Sequence, residues 1–212
     1  MDLNHFLDHT TLNRAASKQE VDQVVKEARD NHFYSVVVNS KWVSYVSEQL
    51  LLSPVKTICM ITTDATNDKI IEVNEAIKNG AEELSVLLNI DELKAGHYEI
   101  VYAEINALVA TAQQAGTLLT VMIATDCLTD KEIVTASQII ADTNADYIGM
   151  AIGSSSYSVS VHKLALVTAA VADCIKIKII GNIQNTIEAE TMIAIGAERL
   201  GANDSMAIIG KA

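Results

Sequence analysis

A chain of 212 residues, half of them hydrophobic but only 4% aromatic, must build an aliphatic core from Ile, Val, Leu and Ala. The length suits one sizeable domain over residues 1–212 and is short for two. A formal charge of −12 repels phosphate backbones and anionic membranes, so neither nucleic acid nor a membrane surface is expected as a partner.

The N-terminal Met-Asp-Leu-Asn-His has no basic or apolar leader character, so no signal peptide is expected. No apolar run approaches the roughly 20 residues needed to span a bilayer. Cys59, Cys127 and Cys174 form no CxxC and no even framework, which points to reduced thiols in the cytoplasm.

Short β-branched runs alternate with longer amphipathic segments. Phe6–Thr10 supplies a first strand, followed by a helix whose Val21, Val24, Val25 and Ala28 recur at helical spacing. Ser17 and Glu20 form a capping box ahead of it, and Thr129 with Glu132 repeats the signature before Val134, Ile139 and Ile140. Further strands are expected at Phe33–Asn39, Val55–Ile61, Glu83–Asn89, Leu118–Ala124, Asp146–Ile152, Ile175–Gly181 and Arg199–Ala202. Asn79-Gly80, Asn144-Ala145 and Gly196-Ala197 lead from helix to strand, where Gly or Asn can take the left-handed turn that ends a helix. Eight such units imply an all-parallel sheet with right-handed crossovers. The α/β class with a parallel (β/α)8 TIM barrel is therefore the expected fold. The rival, an open doubly wound sheet, lacks its GxGxxG in the first turn.

In such barrels chemistry lies at the carboxyl ends of the strands. Asp8, His9 and Thr10 end the first strand as a polar triplet facing the mouth. Lys178 stands between branched residues of a buried strand, which is costly unless it is paired or functional. Lys176 shares its face but lies nearer the strand start, within reach of solvent. Asn39 and Asn89 end strands and are expected to face the mouth. Gly181-Asn182 and Gly201-Ala202-Asn203-Asp204-Ser205 follow the last two strands, where barrels bind phosphate through backbone amides. The five histidines show no metal-ligand spacing and read as surface or loop residues, so neither metal nor cofactor is expected.

Taken together, these segments resemble the deoxyribose-phosphate aldolase family almost end to end. Leu7-Asp8-His9-Thr10-Thr11-Leu12 resembles its IDHTLL, Ser35–Asn39 its SVCVN, and Asn79–Leu84 its NGADEI. Leu128–Glu132 resembles LTDEE, Ala145–Ile148 ADFV, and Ile177–Gly181 VKASG. The resemblance implies a metal-free aldol cleavage of 2-deoxyribose 5-phosphate. A lysine forms an imine with the sugar, a second lysine lowers the pKa of the first, and aspartates relay protons.

At the positions that matter, this chain departs from that pattern. The imine-forming lysine is replaced by Gly149 and the relay aspartate by Ser85. The Lys and Glu of KVIIE become Thr120 and Ala124, and the GFPLG loop becomes Ile61-Thr62-Thr63-Asp64-Ala65. The Gly-Gly-Ile-Arg phosphate pattern becomes Gly181-Asn182-Ile183-Gln184, and the serine pair after the last strand becomes Asn203-Asp204. Asp8 and Lys178 survive, and are expected to form a balanced buried pair. Asp204 is expected to cap a short last helix and to repel a phosphate dianion.

The leading expectation is a diverged homologue that cannot run the imine chemistry and acts as a binding barrel. Thr10, Asn39, Gly153, Gly181, Asn182, Gly201 and Asp204 are its ligand-binding candidates. A small carbonyl or sugar metabolite, a homodimer or an active paralogue are the partners considered. The alternative is a Schiff-base aldolase that uses Lys178 on a small, unphosphorylated carbonyl compound. Intact aldolase activity and unrelated chemistry at Asp8, Thr10 or Asn39 complete the set.

Overall fold

The computed structural model describes residues 1–152, 157–181 and 183–211. Its strands are β1 (Leu7–Thr11), β2 (Ser35–Asn39), β3 (Lys56–Ile61), β4 (Glu83–Leu87), β5 (Leu118–Ala124), β6 (Tyr147–Ile152), β7 (Lys176–Gly181) and β8 (Arg199–Ala202). Each pairs in parallel with the next, and β8 returns to β1, closing the barrel. The helices are α1 (Lys18–Asp30), α2 (Val43–Leu50), α3 (Thr66–Lys78), α4 (Ile90–Lys94), α5 (Tyr98–Gln114), α6 (Asp130–Ala141), α7 (Tyr157–Val171), α8 (Thr186–Ile195) and α9 (Ser205–Ile208). Among the described residues, no helix is long and apolar enough to cross a membrane.

Period-two alternation sorts each strand into two faces. Outward residues such as Val36, Val38, Ile148, Met150 and Ile179 join the helices in one large apolar shell. Inward residues Val37, Ile58, Met60, Met122 and Ile180 form a separate cluster inside the ring.

Local signals set the boundaries. Both expected capping boxes form, Ser17 with Glu20 and Thr129 with Glu132. Gly80 takes φ +96°, and a Cβ there would collide with Ser47, so the turn between α3 and β4 needs glycine. Two expectations are corrected. Strand β4 stops at Leu87, because Asn89 turns to accept the Glu92 N–H at 3.2 Å and caps α4. Asn144 is not left-handed. Instead the Thr143 hydroxyl donates to Ile140 O at 2.6 Å and accepts from Ala145 N at 3.3 Å, closing the turn.

His9 is a third correction. It is 1% exposed and points outward from β1 into the helix layer, not toward solvent or the mouth. Its Nε2 lies 2.8 Å from Glu27 of α1, and its Nδ1 lies 3.1 Å from the Ser205 hydroxyl of α9. Ser205 is fully buried, so this arrangement is a brace and not a nucleophile. A second brace joins α3 and α5: Lys69 meets Glu104 at 2.7 Å and donates to Leu87 O, at the end of β4, at 2.8 Å.

The three cysteines differ in exposure. Burial, helped by the nearby charge of Glu72, pushes the Cys59 thiol up to about 12, whereas Cys127 and Cys174 are exposed. Alkylation of the native protein by iodoacetamide should therefore label Cys127 and Cys174 and spare Cys59 until denaturant is added. Rapid native labelling of Cys59, seen by peptide mass analysis, would contradict this packing.

Candidate functional site

The barrel centre holds four charges. Lys178, fully buried on β7, places Nζ 3.0 Å from Asp8 of β1 and 3.6 Å from Glu83 of β4. Arg199, at the start of β8, bonds Asp8 and reaches Glu83 at 3.6 Å. The Asp8–Lys178 pair expected from the sequence is thus half of the real arrangement, which has two cations and two carboxylates. Such a cluster survives burial because each charge is compensated, and removal of one member leaves a stranded ion. Tyr34 donates to Glu83 at 2.8 Å, and its ring lies 3.0 Å from the Arg199 guanidinium carbon, closing the cluster from below. Ser35 donates to Asp8. Lys176 projects to solvent at the barrel bottom, 3.8 Å from Glu198, as its position on the strand implied.

Glu83 and Arg199 were not singled out in the sequence. Each stands beside an exposed acid, Glu82 or Glu198, and reads as a charged strand entry. Their signal was register: Glu83 and Ser85, like Arg199 and Gly201, occupy alternate inward positions.

Above the charges lies an apolar plug. Met60, Met122 and Ile180, with Leu12, Leu87 and Ala151, separate Lys178 from the mouth. Register sets Gly149 of β6 beside Met122 on one side and Lys178 on the other. A Cβ at position 149 would collide with Met122 Sδ and approach Thr120 Cγ2 to 2.9 Å. The Met122 side chain of the neighbouring strand occupies the space beside Gly149. Ser85 is fully buried on the same interior face, and its hydroxyl has no hydrogen-bond partner.

At the mouth, the ends of β1, β6, β7 and β8 line a cleft of about 650 Å³. Its polar wall includes Thr10, Asn13, Gln184, Asn203 and Asp204, and its floor Leu12, Ala151 and Ile180. No basic side chain lines it among the described residues. Asp204 caps α9 as expected, accepting the Ala207 N–H at 3.0 Å. Gly181 and Gly201 border this cleft, but packing also requires them: a Cβ at 181 would collide with Ile152 O, and one at 201 would meet Ile180 Cγ1 at 2.7 Å. Of the first-strand triplet, only Thr10 lines the cleft. Asn39 lies elsewhere on the mouth and donates to Leu12 O at 3.1 Å. Gly153 and Asn182 lie outside the described residues.

A closed parallel barrel of eight strands wrapped by helices is the (β/α)8 TIM-barrel class. The family model described as DeoC/LacD family aldolase matches residues 4–180, and the chain belongs to that family. It is 46% identical over 215 residues, covering all of both chains, to the deoxyribose-phosphate aldolase of Lactiplantibacillus plantarum. It is 35% identical to that of Lactococcus lactis subsp. lactis, over 99% of this chain and 96% of the relative. Among solved structures, the aldolase QR15 superposes with a TM-score of 0.91 at 26% identity, over 100% of this chain and 96% of its own.

Burial pushes the Asp8 carboxyl up, but Lys178, Arg199 and the bonds from Ser35 and Arg199 together outweigh it and hold Asp8 below its ordinary range. A carboxylate depressed in the fold contributes stability above its unfolded pKa of about 3.9 and loses it as pH falls through the folded value. Asp8→Asn should cost about 3–5 kcal/mol at neutral pH. Urea unfolding at pH 7 and pH 3 should show wild type losing more stability on acidification than this variant. Equal losses would remove Asp8 from the account.

Proposed function

We propose that this chain is a binding barrel of the aldolase family that does not form the imine with a sugar. The observation that carries the reading is the sealed centre. Position 149 offers no amine, and the Lys178 amine is fully buried beneath Met122 and Ile180. A carbonyl carbon must come within bonding distance of a lysine nitrogen for a Schiff base to form, and no described path brings it there. Engagement by two carboxylates further removes Lys178 from nucleophilic duty.

The mouth cleft supports a ligand without phosphate. Hydroxyl and amide groups of Thr10, Asn13, Gln184 and Asn203 over an apolar floor suit an uncharged hydroxylated metabolite. The Asp204 carboxylate lines this cleft and would repel a phosphate dianion bound there. The names of the relatives describe those proteins. In this chain, Gly149, Ser85 and Asp204 argue for a changed role on the same scaffold.

Borohydride added to the protein with 2-deoxyribose 5-phosphate or acetaldehyde should leave the intact mass unchanged. A reduced adduct on Lys178 would overturn the reading. Free 2-deoxyribose should raise the melting temperature more than its 5-phosphate does. Asp204→Ser keeps a helix cap while deleting the charge, and should shift that preference toward the phosphate ester. Gly149→Lys should cost about 1–3 kcal/mol through overpacking against Met122 and Thr120, with no turnover restored. Retroaldol activity in that single variant, followed by release of acetaldehyde, would show the centre to be more open than its packing.

A further inference from the structure

A second cleft, of about 540 Å³, opens on the same face of the barrel between the loops that follow β1, β2 and β3. It shares no lining residue with the cleft at β7 and β8. Its volume lies within the range of small-molecule sites. Arg14 and Lys41 bring two positive charges to it, and Asp64 and Glu72 bring two negative ones.

These charges do not neutralise one another. Arg14 donates to the Thr62 hydroxyl at 3.2 Å, and Lys41 donates to the Arg14 carbonyl. Glu72 accepts from the Thr63 hydroxyl. Each of these three is thus fixed by a neutral partner, and among the described residues no ion pair joins either cation to either acid. Some surface lysines do pair with acids, such as Lys18 with Asp22 at 2.9 Å and Lys26 with Asp30 at 2.8 Å. The cleft thus gathers two cations and two acids that form no ion pair with one another among the described residues.

The loop that builds one wall is also where this chain leaves its family's pattern. Thr62, Thr63 and Asp64 stand where the chain departs from the family's GFPLG loop, and they bring two hydroxyls and a carboxylate to the cleft.

We propose that this cleft binds a zwitterionic small molecule, of which the free α-amino acid is the simplest class. The ligand carboxylate lies against Arg14 and Lys41, and its ammonium against Glu72 and Asp64. Charge-assisted hydrogen bonds to a planar guanidinium and a part-buried carboxylate supply the affinity, and the need for both signs supplies the selectivity. The inference is independent of the sealed centre and stands whether or not the barrel retains chemistry.

The chain carries its own reporter. Trp42 is its only tryptophan, and Lys41 Nζ sits 5.2 Å from its ring centroid. Titration with L-alanine, L-serine, L-leucine and L-phenylalanine, read by Trp42 fluorescence and by calorimetry, should give saturable binding for at least one. For that amino acid, the N-acetyl derivative and the amide, each with a single charge, should bind about tenfold more weakly or worse, as expected for loss of one charge-assisted contact. By calorimetry, Lys41→Met should weaken the amino acid and its N-acetyl form, and Glu72→Gln should weaken the amino acid and its amide. Unchanged thermal unfolding of both variants should accompany this. Flat calorimetry for all four amino acids, equal affinity for the single-charge analogues, or unaltered affinity in Lys41→Met with normal unfolding would each overturn the proposal.

Discussion

Everything inside this barrel is arranged around the cost of holding charge away from water. Asp8, Glu83, Lys178 and Arg199 are almost wholly withdrawn from solvent and come from strands β1, β4, β7 and β8. Opposite charges at 3.0 to 3.6 Å repay part of the desolvation, and only a complete set does so. The ring therefore has an electrostatic reason to keep its strands in one register. A slip of one residue would turn these side chains outward into the apolar shell.

The same constraint limits which charges the ring interior can lose or gain singly. Gly149 of β6 and Ser85 of β4 are both neutral, so the two carboxylates and two cations of the centre balance without them. The space beside Gly149 on β6 is taken by Met122, whose unbranched thioether fills irregular space readily.

The ring was legible in the sequence because branched runs alternating with capped helices admit few topologies, and every expected strand appears. Asp8, Lys178 and the cap at Asp204 were legible too, as polar residues in apolar or helix-start contexts. Glu83 and Arg199 were not, because a charge at a strand entry looks the same whether it faces solvent or the barrel axis. His9 was hidden for a related reason: its neighbours on α1 and α9 come from opposite ends of the chain, and no local pattern announces them. Pairing across the seam of a closed sheet is nonlocal information, which a residue-by-residue reading does not contain.

That seam has a consequence for biosynthesis. Strand β1 pairs with β8, and His9 holds both α1 and α9, so the first and last structural units complete one another. A chain emerging from the ribosome can collapse its early strand–helix pairs, yet it must wait with an open sheet edge until the final strand is made. Closure of the ring thus follows synthesis of β8, and until then the open edges of β1 and β7 are available for mispairing.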